Sequence, residues 1–373
     1  MFLLFLDNGE IKMASTKTWA LLAIVLVVII VVGAVVYYVT LPVEPETEKT
    51  KVACLLPGSI NDHGWNQAWF TALQVAETEL GVETAYSEAV TVADAGGVFI
   101  DYAQRGFDLI WCLDFGMSDA AIAAAEDYPE STFAVPWYGV HGEPPKENIV
   151  GYVQGEGPTP GKGIQDASYL AGILAAGLTE SGIIGVYGAM PAIPVVAFME
   201  GFKIGAKTYA EENSMALKCL QQFVGAWEDV SAGYETTVSF IDAGADLIYC
   251  IGDGISFGGI MAAKAEGGVY VIGGAGDQRP IDPEIIVASI DYDIPKEMLI
   301  MTEAVMNGTA AEWGSTSKWV EVGGNFLIDW DEVSDIVSSD LRTRIEDAQE
   351  DLLDGTIEVP FITEITPPLD YTP

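Results

Sequence analysis

"GFDLIWCLDFGMSDAAIAAAEDYPESTFAVPWYG", residues 106–139, has a counterpart later in the same chain. Residues 244–276, "GADLIYCIGDGISFGGIMAAKAEGGVYVIGGAG", repeat its order of Gly-x-Asp-Leu-Ile-aromatic-Cys, a turn with Asp and Gly, an Ala-rich stretch and a second apolar run. An apolar run, a helix and another apolar run make the repeating unit of a parallel β-sheet. Because this unit occurs twice, the sequence predicts two similar α/β lobes.

The same alternation of short apolar runs and helical stretches extends through most of the chain beyond residue 50. Strands are predicted at 51–56, 82–87, 108–113, 132–137, 149–153, 183–187, 217–224, 246–251, 269–273 and 286–290. Helices are predicted at 65–80, 118–127, 165–179 and 338–354. This alternation indicates an α/β fold with parallel sheets.

Residues suited to ligand binding follow the predicted strands. In open parallel sheets, ligands bind beyond the carboxyl ends of the strands, so side chains placed there are expected to line one cleft between the lobes. The candidate ligand-binding residues are Asp62, Trp65, Asn66, Phe115, Trp227, Asp253 and Asp277. Aromatic rings can stack on a flat ligand, while carboxylates and amides accept hydrogen bonds from its edge or from ribose-like hydroxyls.

Some of these residues have an equally good structural explanation. Asp, Asn and Gly form turns and cap helices without any ligand, and both Asp62 and Asp119 are placed where they could cap a helix. An aromatic residue at a turn is harder to explain as a cap. Trp65, Phe115 and Trp227 therefore count more toward a ligand site than the carboxylates do.

The charge balance argues against several classes of partner. The chain has 16 Lys plus Arg against 55 Asp plus Glu, for a formal net charge of −39. Such a surface repels phosphate backbones, which argues against nucleic acid as a partner, and it is poorly suited to an anionic membrane surface. Charged residues make up only 19 % of the chain, so the acidity reflects scarce Lys and Arg. We hypothesise an extracellular protein that works in salty or acidic water.

No set of residues indicates catalysis, a metal or a cofactor. The cysteines stand in apolar runs typical of buried thiols and lack CxxC spacing: Cys54, Cys112, Cys219 and Cys250. Only two histidines could add imidazole ligands, which argues against zinc. The pair Glu228-Asp229 could act as acid and base in a nucleoside hydrolase, but no metal-binding aspartate cluster accompanies it. The glycine tract at 273–276 lacks the spacing and the lysine of a phosphate-binding loop. We therefore predict that the protein is not an enzyme.

One segment is long and apolar enough to cross a membrane. Residues 19–39, "WALLAIVLVVIIVVGAVVYYV", contain no charge and match a hydrocarbon core of about 30 Å as a helix. Trp19 and the Tyr37-Tyr38 pair are placed for the two interfaces. Lys12 and Lys17 precede the segment and acidic residues follow it, which predicts a cytoplasmic N-terminus and an extracellular remainder. We favour an uncleaved anchor over a cleaved signal peptide, because no clear cleavage site follows.

Several pieces of the sequence together resemble one family, the basic membrane protein family of substrate-binding proteins, similar to the purine-nucleoside receptor lipoproteins of ABC importers. The resemblance covers residues 51–362 and rests on "GSINDHGWNQAWFTAL", "YLAGILAAGLTESGIIGVYGAMPAIPVVAFMEGFKIGAKT", "FVGAWEDVSAGYE", "AGADLIYCIGDG", "VIGGAGDQ" and "LLDGTIEVPF". It implies a type I periplasmic-binding-protein fold, in which two Rossmann-like lobes joined by three crossovers close on a ligand.

The resemblance also implies roles for individual residues. Members of the family bind purine nucleosides or bases, and the aromatic residue of their D-x-(S/G)-(F/W)-N motif stacks on the base. Trp65 matches that aromatic residue, with Asp62 and Asn66 around it. The carboxylate that binds the ribose hydroxyls matches Asp277, and the "GAWED" piece places Trp227 near the site.

The chain departs from the family at three places. Nucleoside-binding members have an acidic residue where this chain has Leu56-Pro57, and a lysine where it reads "SIDYD". A related branch has histidine at the position of Trp69. The ligand is therefore open between a purine nucleoside, a free purine and another flat, ring-containing metabolite.

The predicted domains are a cytoplasmic tail at 1–18, a transmembrane anchor at 19–39, a linker at 40–50, a first lobe at 51–154 with parts of 290–373, and a second lobe at 155–289. Hinges are expected at 154–157 and 289–293, and the third crossover at 308–322. We expect the helix at 338–354 to pack on the first lobe.

Together these observations predict a membrane-anchored extracellular solute-binding protein. It would capture a purine nucleoside or purine base by closure of its two lobes and deliver it to an ABC importer. The expected partners are this small ligand, the permease and ATPase subunits, and the membrane through the N-terminal helix. Two alternatives share the fold: a receptor that senses a ligand without transporting it, and a structural surface protein.

Overall fold

The computed structural model describes residues 4–7, 10–13, 16–39, 49–139, 143–155, 161–274, 276–315 and 319–373. These residues belong to two compact units, Met1–Glu48 and Lys49–Pro373.

The N-terminal unit contains a hairpin and one long helix. Strands β1 (Leu4–Asp7) and β2 (Glu10–Met13) pair antiparallel, and helix α1 spans Thr16–Val39. Within α1, Trp19–Tyr37 has a mean hydropathy of 3.2 and is long and apolar enough to cross a membrane, although a signal sequence has the same length and composition. A helix that is apolar on all sides needs lipid or protein around it. Residues 40–48, most of the predicted linker, lie outside the described residues.

Strands and helices alternate along the unit Lys49–Pro373. Its strands are β3 (Lys51–Leu55), β4 (Glu83–Ser87), β5 (Leu109–Cys112), β6 (Thr132–Pro136), β7 (Ile149–Gln154), β8 (Ile183–Gly188), β9 (Leu217–Phe223), β10 (Leu247–Ile251), β11 (Tyr270–Gly273), β12 (Ile286–Tyr292), β13 (Trp319–Val322), β14 (Gly324–Leu327) and β15 (Asp370–Tyr371). Its helices are α2 (Trp65–Leu80), α3 (Ala95–Gln104), α4 (Ser118–Asp127), α5 (Ile164–Leu178), α6 (Ile193–Glu212), α7 (Val230–Asp242), α8 (Gly254–Glu266), α9 (Ile294–Met306), α10 (Ala310–Ser315) and α11 (Ser339–Leu353).

Within the described residues these strands form two sheets, which we call, with the helices packed on them, the first lobe and the second lobe. The first sheet has the order β13-β7-β6-β5-β3-β4 and is parallel throughout. The second has the order β14-β12-β11-β10-β8-β9-β15, and its two edge strands β14 and β15 run antiparallel. The predicted α/β fold with parallel sheets is confirmed, and each predicted strand and helix ends within two residues of an observed one. All four cysteines are buried, as predicted, and none of them is paired.

The repeat in the sequence is also a repeat in the structure. Gly106 and Gly244 follow equivalent helices and have φ values of 73° and 96°, in the left-handed region that favours glycine. Asp108 then precedes β5, and its carboxylate accepts the Lys51 N–H at 2.8 Å. Asp246 precedes β10 in the same way and accepts two backbone N–H groups just before β8, both at 2.8 Å. In each lobe this aspartate joins the starts of two neighbouring strands.

The chain passes between the two sheets three times. The first passage runs from β7 to α5, and residues 156 and 157 of the hinge expected at 154–157 lie outside the described residues. The second runs from β12 through Asp293 to α9, which packs on the first lobe, and it coincides with the hinge expected at 289–293.

The third passage is at Gly323, so the position expected for it, 308–322, is wrong. β13 pairs with β7 of the first sheet as far as Val322, and β14 pairs with β12 of the second sheet from Gly324 onward. The extended chain therefore changes sheets in a single residue, and most of the stretch expected to cross belongs to the first lobe.

The C-terminal helix α11 packs on the second lobe, and the expectation that it would pack on the first lobe is wrong. Its apolar face, from Leu341 to Leu352, joins the core around α5. Arg344 also donates two hydrogen bonds of 2.8 Å to Glu212 of α6. The physical reason is the third passage, which brings the chain to the second sheet before α11 begins.

A buried ion pair holds the end of the chain on the same lobe. Glu200 and Lys203 on α6 are 2.8 Å apart and are at most 5 % exposed. Glu200 accepts hydrogen bonds from the N–H and the hydroxyl of Thr366, and Lys203 donates to the Thr366 carbonyl and to Gln221. Buried charges are tolerated when they are paired and hydrogen-bonded in this way.

One buried carboxyl group has no hydrogen-bond partner among the described residues. Glu297 lies on α9, where that helix packs on α2, and is 2 % exposed; neither of its side-chain oxygens accepts a hydrogen bond. Burial raises the pKa of Glu297 well above its usual range, so the carboxyl is held neutral. A buried polar group without a partner costs about 1–3 kcal/mol of stability.

We therefore expect Glu297→Met to raise the free energy of unfolding by about 1–3 kcal/mol, because methionine removes the unpaired group and nearly conserves its volume. The matched control is Glu303→Met at an exposed position of the same helix, which should change stability by less than about 0.5 kcal/mol. Chemical denaturation at pH 7 measures both variants. A destabilised Glu297→Met chain would contradict this account of the carboxyl.

Candidate functional site

A cavity of about 410 Å³ lies where the two lobes face each other. Among the described residues, both lobes line it, with Pro57, Trp65, Leu113, Asp114, Phe115, Gly116, Pro194, Val195, Trp227, Glu228, Ile251, Gly252, Asp253, Gly274 and Tyr292. Many of them follow the carboxyl ends of strands, the edge at which parallel sheets bind ligands. Cavities that hold small molecules measure roughly 300–1,000 Å³, so this one is large enough for a compact ligand.

Aromatic side chains form much of the cavity wall. Trp65 stands at the start of α2, and its indole N–H donates to the Leu113 carbonyl at 3.0 Å. Its ring meets the Tyr292 ring edge-on, with the centroids 5.6 Å apart. Phe115 and Trp227 are 50 % and 38 % exposed, so their rings are open to a ligand. Of the predicted site residues, the structure thus brings Trp65, Phe115 and Trp227 to one cavity, together with Asp253.

Asp62 and Asn66 lie behind this wall and shape the loop that carries Trp65. Asp62 Oδ1 accepts the N–H groups of Gly64 and Gln67, and its Oδ2 accepts both the backbone N–H and the side-chain amide of Asn66, all at 2.7–3.0 Å. Asn66 Oδ1 in turn accepts the Gly58 N–H at 2.9 Å. Asp62 therefore caps α2, the structural alternative noted for it, and contact between either residue and a ligand stays a prediction.

The other capping candidate does not act as a cap. Asp119 lies inside the first turn of α4 rather than before it. A side chain at that position has its effect through the helix dipole and not by accepting the first amide groups.

The loop at the start of α2 also touches the second lobe. The Trp65 backbone N–H donates to Asp253 Oδ1 at 2.9 Å, and Gln278 Nε2 donates to the His63 carbonyl at 3.0 Å. The His63 ring stacks on Phe257 with the centroids 5.5 Å apart and an angle of 26° between the planes. These three contacts, from residues 63–65 of the first lobe to three residues of the second, hold the lobes together beside the cavity.

Three carboxylates meet at this junction. Oxygen atoms of Asp62, Glu228 and Asp253 lie within 4.8 Å of one another. The pKa of Asp253 is raised to about 8, mainly by burial and also by the charges of Glu228 and Asp62. The hydrogen bond from the Trp65 N–H partly opposes this shift. Burial and the nearby Asp62 also raise the pKa of Glu228. Both oxygens of Asp62 are already engaged by four N–H groups, so the group is poorly suited to ligating a cation.

Asp277 is not among the residues that line this cavity. It lies in a neighbouring cleft of about 590 Å³, which shares Tyr292 with the cavity. Its carboxylate accepts two hydrogen bonds of 2.8 Å from the Arg279 guanidinium. A role for Asp277 toward ribose hydroxyls stays a prediction, and it would require this ion pair to open or to share its oxygens.

Three residues of the cavity with polar side chains were not among the predicted site residues. Asp114 and Glu228 follow the ends of β5 and β9, so their position after a predicted strand could have identified them as site residues. Tyr292 is the last residue of β12, in the "SIDYD" stretch. Its position in the sequence carries the same signal, but only the register of β12 shows that its ring reaches Trp65.

Comparisons with known proteins decide the family. A sequence profile of the family described as "ABC transporter substrate-binding protein PnrA-like" matches residues 49–363. The chain belongs to this family. It is similar to basic membrane protein A1 of Borrelia garinii subsp. bavariensis, with 26 % identity over 325 residues, 86 % of this chain and 90 % of that protein. It is also similar to the putative ABC transporter glucose-binding protein TsgA13 of Haloferax volcanii, with 27 % identity over 84 % of this chain and 75 % of that protein.

Solved structures give the same fold. A solute-binding protein of an ABC transporter system from Aeropyrum pernix K1 superposes with a TM-score of 0.69 and 18 % identity, over 84 % of this chain and 94 % of that one. The resemblance found in the sequence and the type I periplasmic-binding fold are thereby confirmed. The PnrA-like family consists of extracellular solute-binding proteins and not of enzymes, as predicted.

The raised pKa of Asp253 predicts a pH-dependent stability. The carboxyl is protonated in the folded chain up to about pH 8 but titrates near 3.8 when exposed, so its contribution to stability is complete below 3.8 and is lost as pH rises through about 8. Asp253→Asn should therefore flatten the decline of the free energy of unfolding between pH 4 and 8, by up to about 1.4 kcal/mol per pH unit.

Denaturation curves at several pH values measure this effect. The control is Asp242→Asn, an exposed carboxyl at the end of α7, which should leave the slope of the natural chain unchanged. Parallel profiles for the natural chain and Asp253→Asn would contradict the assignment.

Gly64 allows a close approach between the lobes. A Cβ atom at this position would lie 2.7 Å from Asp253 Oδ1 and 3.1 Å from its Cα. We expect Gly64→Ala to hold the lobes further apart, because backbone atoms on the second lobe cannot give way as a flexible side chain would. Gly97→Ala is the control, since it also replaces a glycine with alanine but a Cβ atom there meets nothing within 4 Å. Gly97 lies inside α3, where alanine is favourable.

Spin labels at exposed positions of the two lobes, Glu79→Cys and Glu266→Cys, report the separation by pulsed electron resonance, and the native cysteines are buried. Gly64→Ala should lengthen the distance and Gly97→Ala should leave it unchanged. An unchanged distribution in Gly64→Ala would show that the contact does not limit closure.

Proposed function

We propose that this chain is a membrane-anchored receptor that captures a planar, ring-containing solute, in the first place a purine nucleoside or purine base, and presents it to the permease and ATPase of an ABC importer. The observation that carries the proposal is the cavity between the lobes, where the exposed rings of Phe115 and Trp227 and the partly buried ring of Trp65 stand beside carboxylates. Rings of this kind stack on a flat base, and carboxylates accept hydrogen bonds from amino and hydroxyl groups.

Closure of the lobes is the proposed mechanism of capture. The cavity takes residues from both lobes, so a ligand that contacts both favours the closed arrangement over the open one. The passages near Asp293 and Gly323, with the passage after β7, are the proposed hinges. The first lobe at 51–154 with parts of 290–373 and the second lobe at 155–289 are the proposed moving bodies, with 323–373 moving with the second lobe.

The proposed location follows from the N-terminal helix. Trp19–Tyr37 would serve as an uncleaved anchor with the N-terminus in the cytoplasm and the lobes outside. Sequencing the N-terminus of the protein isolated from its membrane tests this arrangement, because a cleaved signal would remove the helix.

Glucose is the rival ligand. The relative from Haloferax volcanii is named as a putative glucose-binding protein. Carboxylates and aromatic rings also suit the hydroxyls and the apolar face of a sugar, so a hexose belongs in the test. A sugar ring offers no extended π face, and a base should therefore gain more from Trp65.

Mass spectrometry of the small molecule that co-purifies with the full chain in detergent is the first test, followed by calorimetry with adenosine, guanosine, adenine and glucose. If the ring of Trp65 stacks on a base, Trp65→Ala should weaken binding by about 1–3 kcal/mol, which is roughly 5- to 150-fold. Trp65→Phe keeps an aromatic ring and should weaken binding less than Trp65→Ala does.

Trp330→Ala is the matched control, because Trp330 is a partly buried tryptophan of the second lobe that does not line the cavity. Equal dissociation constants for the natural chain and Trp65→Ala would remove the stacking role. A hexose found in the purified protein, with no affinity for any purine, would redirect the proposal to sugars.

A further inference from the structure

The charged side chains among the described residues that line the cavity are all acidic. Three carboxylates line it, from Asp114 in the first lobe and from Glu228 and Asp253 in the second, and Asp62 stands directly behind them. Among the described residues that line the cavity, none is lysine, arginine or histidine. A bound ligand therefore meets the carboxylates of Asp114 in the first lobe and Glu228 in the second. The Asp253 carboxyl, whose pKa is raised to about 8 by its burial, becomes a third negative charge when a ligand cation takes the place of its proton.

Trp65 uses both of its N–H groups for hydrogen bonds within the protein. The Trp65 indole N–H donates to the Leu113 carbonyl, and its backbone N–H donates to Asp253. Asp114 Oδ1 accepts the Gly116 N–H at 2.6 Å. Because each carboxylate has several acceptor positions, these single hydrogen bonds leave capacity for donors that a ligand would bring.

Closure increases the need for positive charge. It brings Asp62 of the first lobe within 4.8 Å of Glu228 and Asp253 of the second, in a place where Asp253 is only 7 % exposed. Like charges repel more strongly as water is removed, and in the empty cavity Asp253 avoids this repulsion by keeping its proton. A positive charge on a ligand beside Glu228 and Asp253 would take the place of that proton. The neighbouring rings of Trp65 and Trp227 add favourable faces for a cation.

We propose that the cavity selects its ligand by charge, taking a planar ring that carries a positive charge toward Glu228 and Asp253 and rejecting anions of the same shape. The inference rests on the proposed function, which supplies the planar ring of the ligand, and it adds the charge of that ligand. Within the purines, it assigns the site to ring-cationic forms such as N-methylated nucleosides rather than to neutral nucleosides or nucleotides.

The test compares charge within two scaffolds of fixed ring shape, by calorimetry on the full chain in detergent at one pH and ionic strength. The purine series is adenosine, 1-methyladenosine, which is a cation at neutral pH, and adenosine 5′-monophosphate. The indole series is tryptophol, tryptamine, which is a cation, and indole-3-acetate. We expect the cation to bind at least tenfold more tightly than the neutral compound in a scaffold that fits, and the anion not to bind.

Glu228→Gln identifies the group responsible, because it conserves shape and removes one charge. It should reduce the preference for the cation about tenfold, the change expected when one charge-assisted hydrogen bond is lost. Glu235→Gln is the matched control at an exposed position of α7, outside the cavity, and should leave the preference unchanged.

The outcomes separate this inference from the purine proposal. Equal binding of adenosine and 1-methyladenosine that Glu228→Gln does not alter overturns charge selection while leaving purine binding in place. If none of the three purine compounds binds and tryptamine binds more tightly than tryptophol, charge selection is supported and the proposed purine ligand is wrong. Binding of either anion, or no binding of any of the six compounds, overturns the inference.

Discussion

The hydrogen bond between the Trp65 backbone N–H and Asp253 Oδ1, 2.9 Å long, is the contact on which the rest of the site depends. It joins the start of α2 in the first lobe to the start of α8 in the second, and Gly64 beside it leaves no room for a side chain. Trp65 and Asp253 also line the cavity. Two of the residues that hold the lobes together are therefore also placed to face a ligand.

Three carboxyl groups lie close together at this contact, which is electrostatically unfavourable, and neighbouring groups reduce the cost. Asp253 is buried beside two other carboxylates, which disfavours its charged form and raises its pKa to about 8. Asp62, by contrast, accepts four hydrogen bonds at the start of α2, from the backbone N–H groups of Gly64, Asn66 and Gln67 and from the side-chain amide of Asn66. The Asp253 carboxyl is therefore most stable with a proton or beside a positive charge, and because it accepts the Trp65 N–H of the other lobe, its charge state and the contact between the lobes are coupled.

The fold was predictable from the sequence because its signals are local. Apolar runs, the Gly-x-Asp-Leu-Ile repeat and the residues after each strand identify the sheets and bring Trp65, Phe115, Trp227 and Asp253 to one edge. What could not be predicted depends on contacts distant in sequence or on competing local partners. Arg279 engages Asp277 from two residues away, and the packing of α11 follows from a passage at a single residue. Asp62 was ambiguous because capping a helix and accepting from a ligand need the same oxygens.

Trp65 is held by each lobe through a different part of its structure, and this explains how one residue can couple binding to closure. Its indole N–H donates to the Leu113 carbonyl in the first lobe, a contact that the proposed opening of the lobes would leave intact. Its backbone N–H donates to Asp253 of the second lobe, a contact that the proposed opening of the lobes would break. A solute stacked on the ring in the open form would already be positioned for the residues that arrive with the second lobe. Closure then adds contacts without reorienting the ligand, and less of the binding free energy is spent on rearrangement.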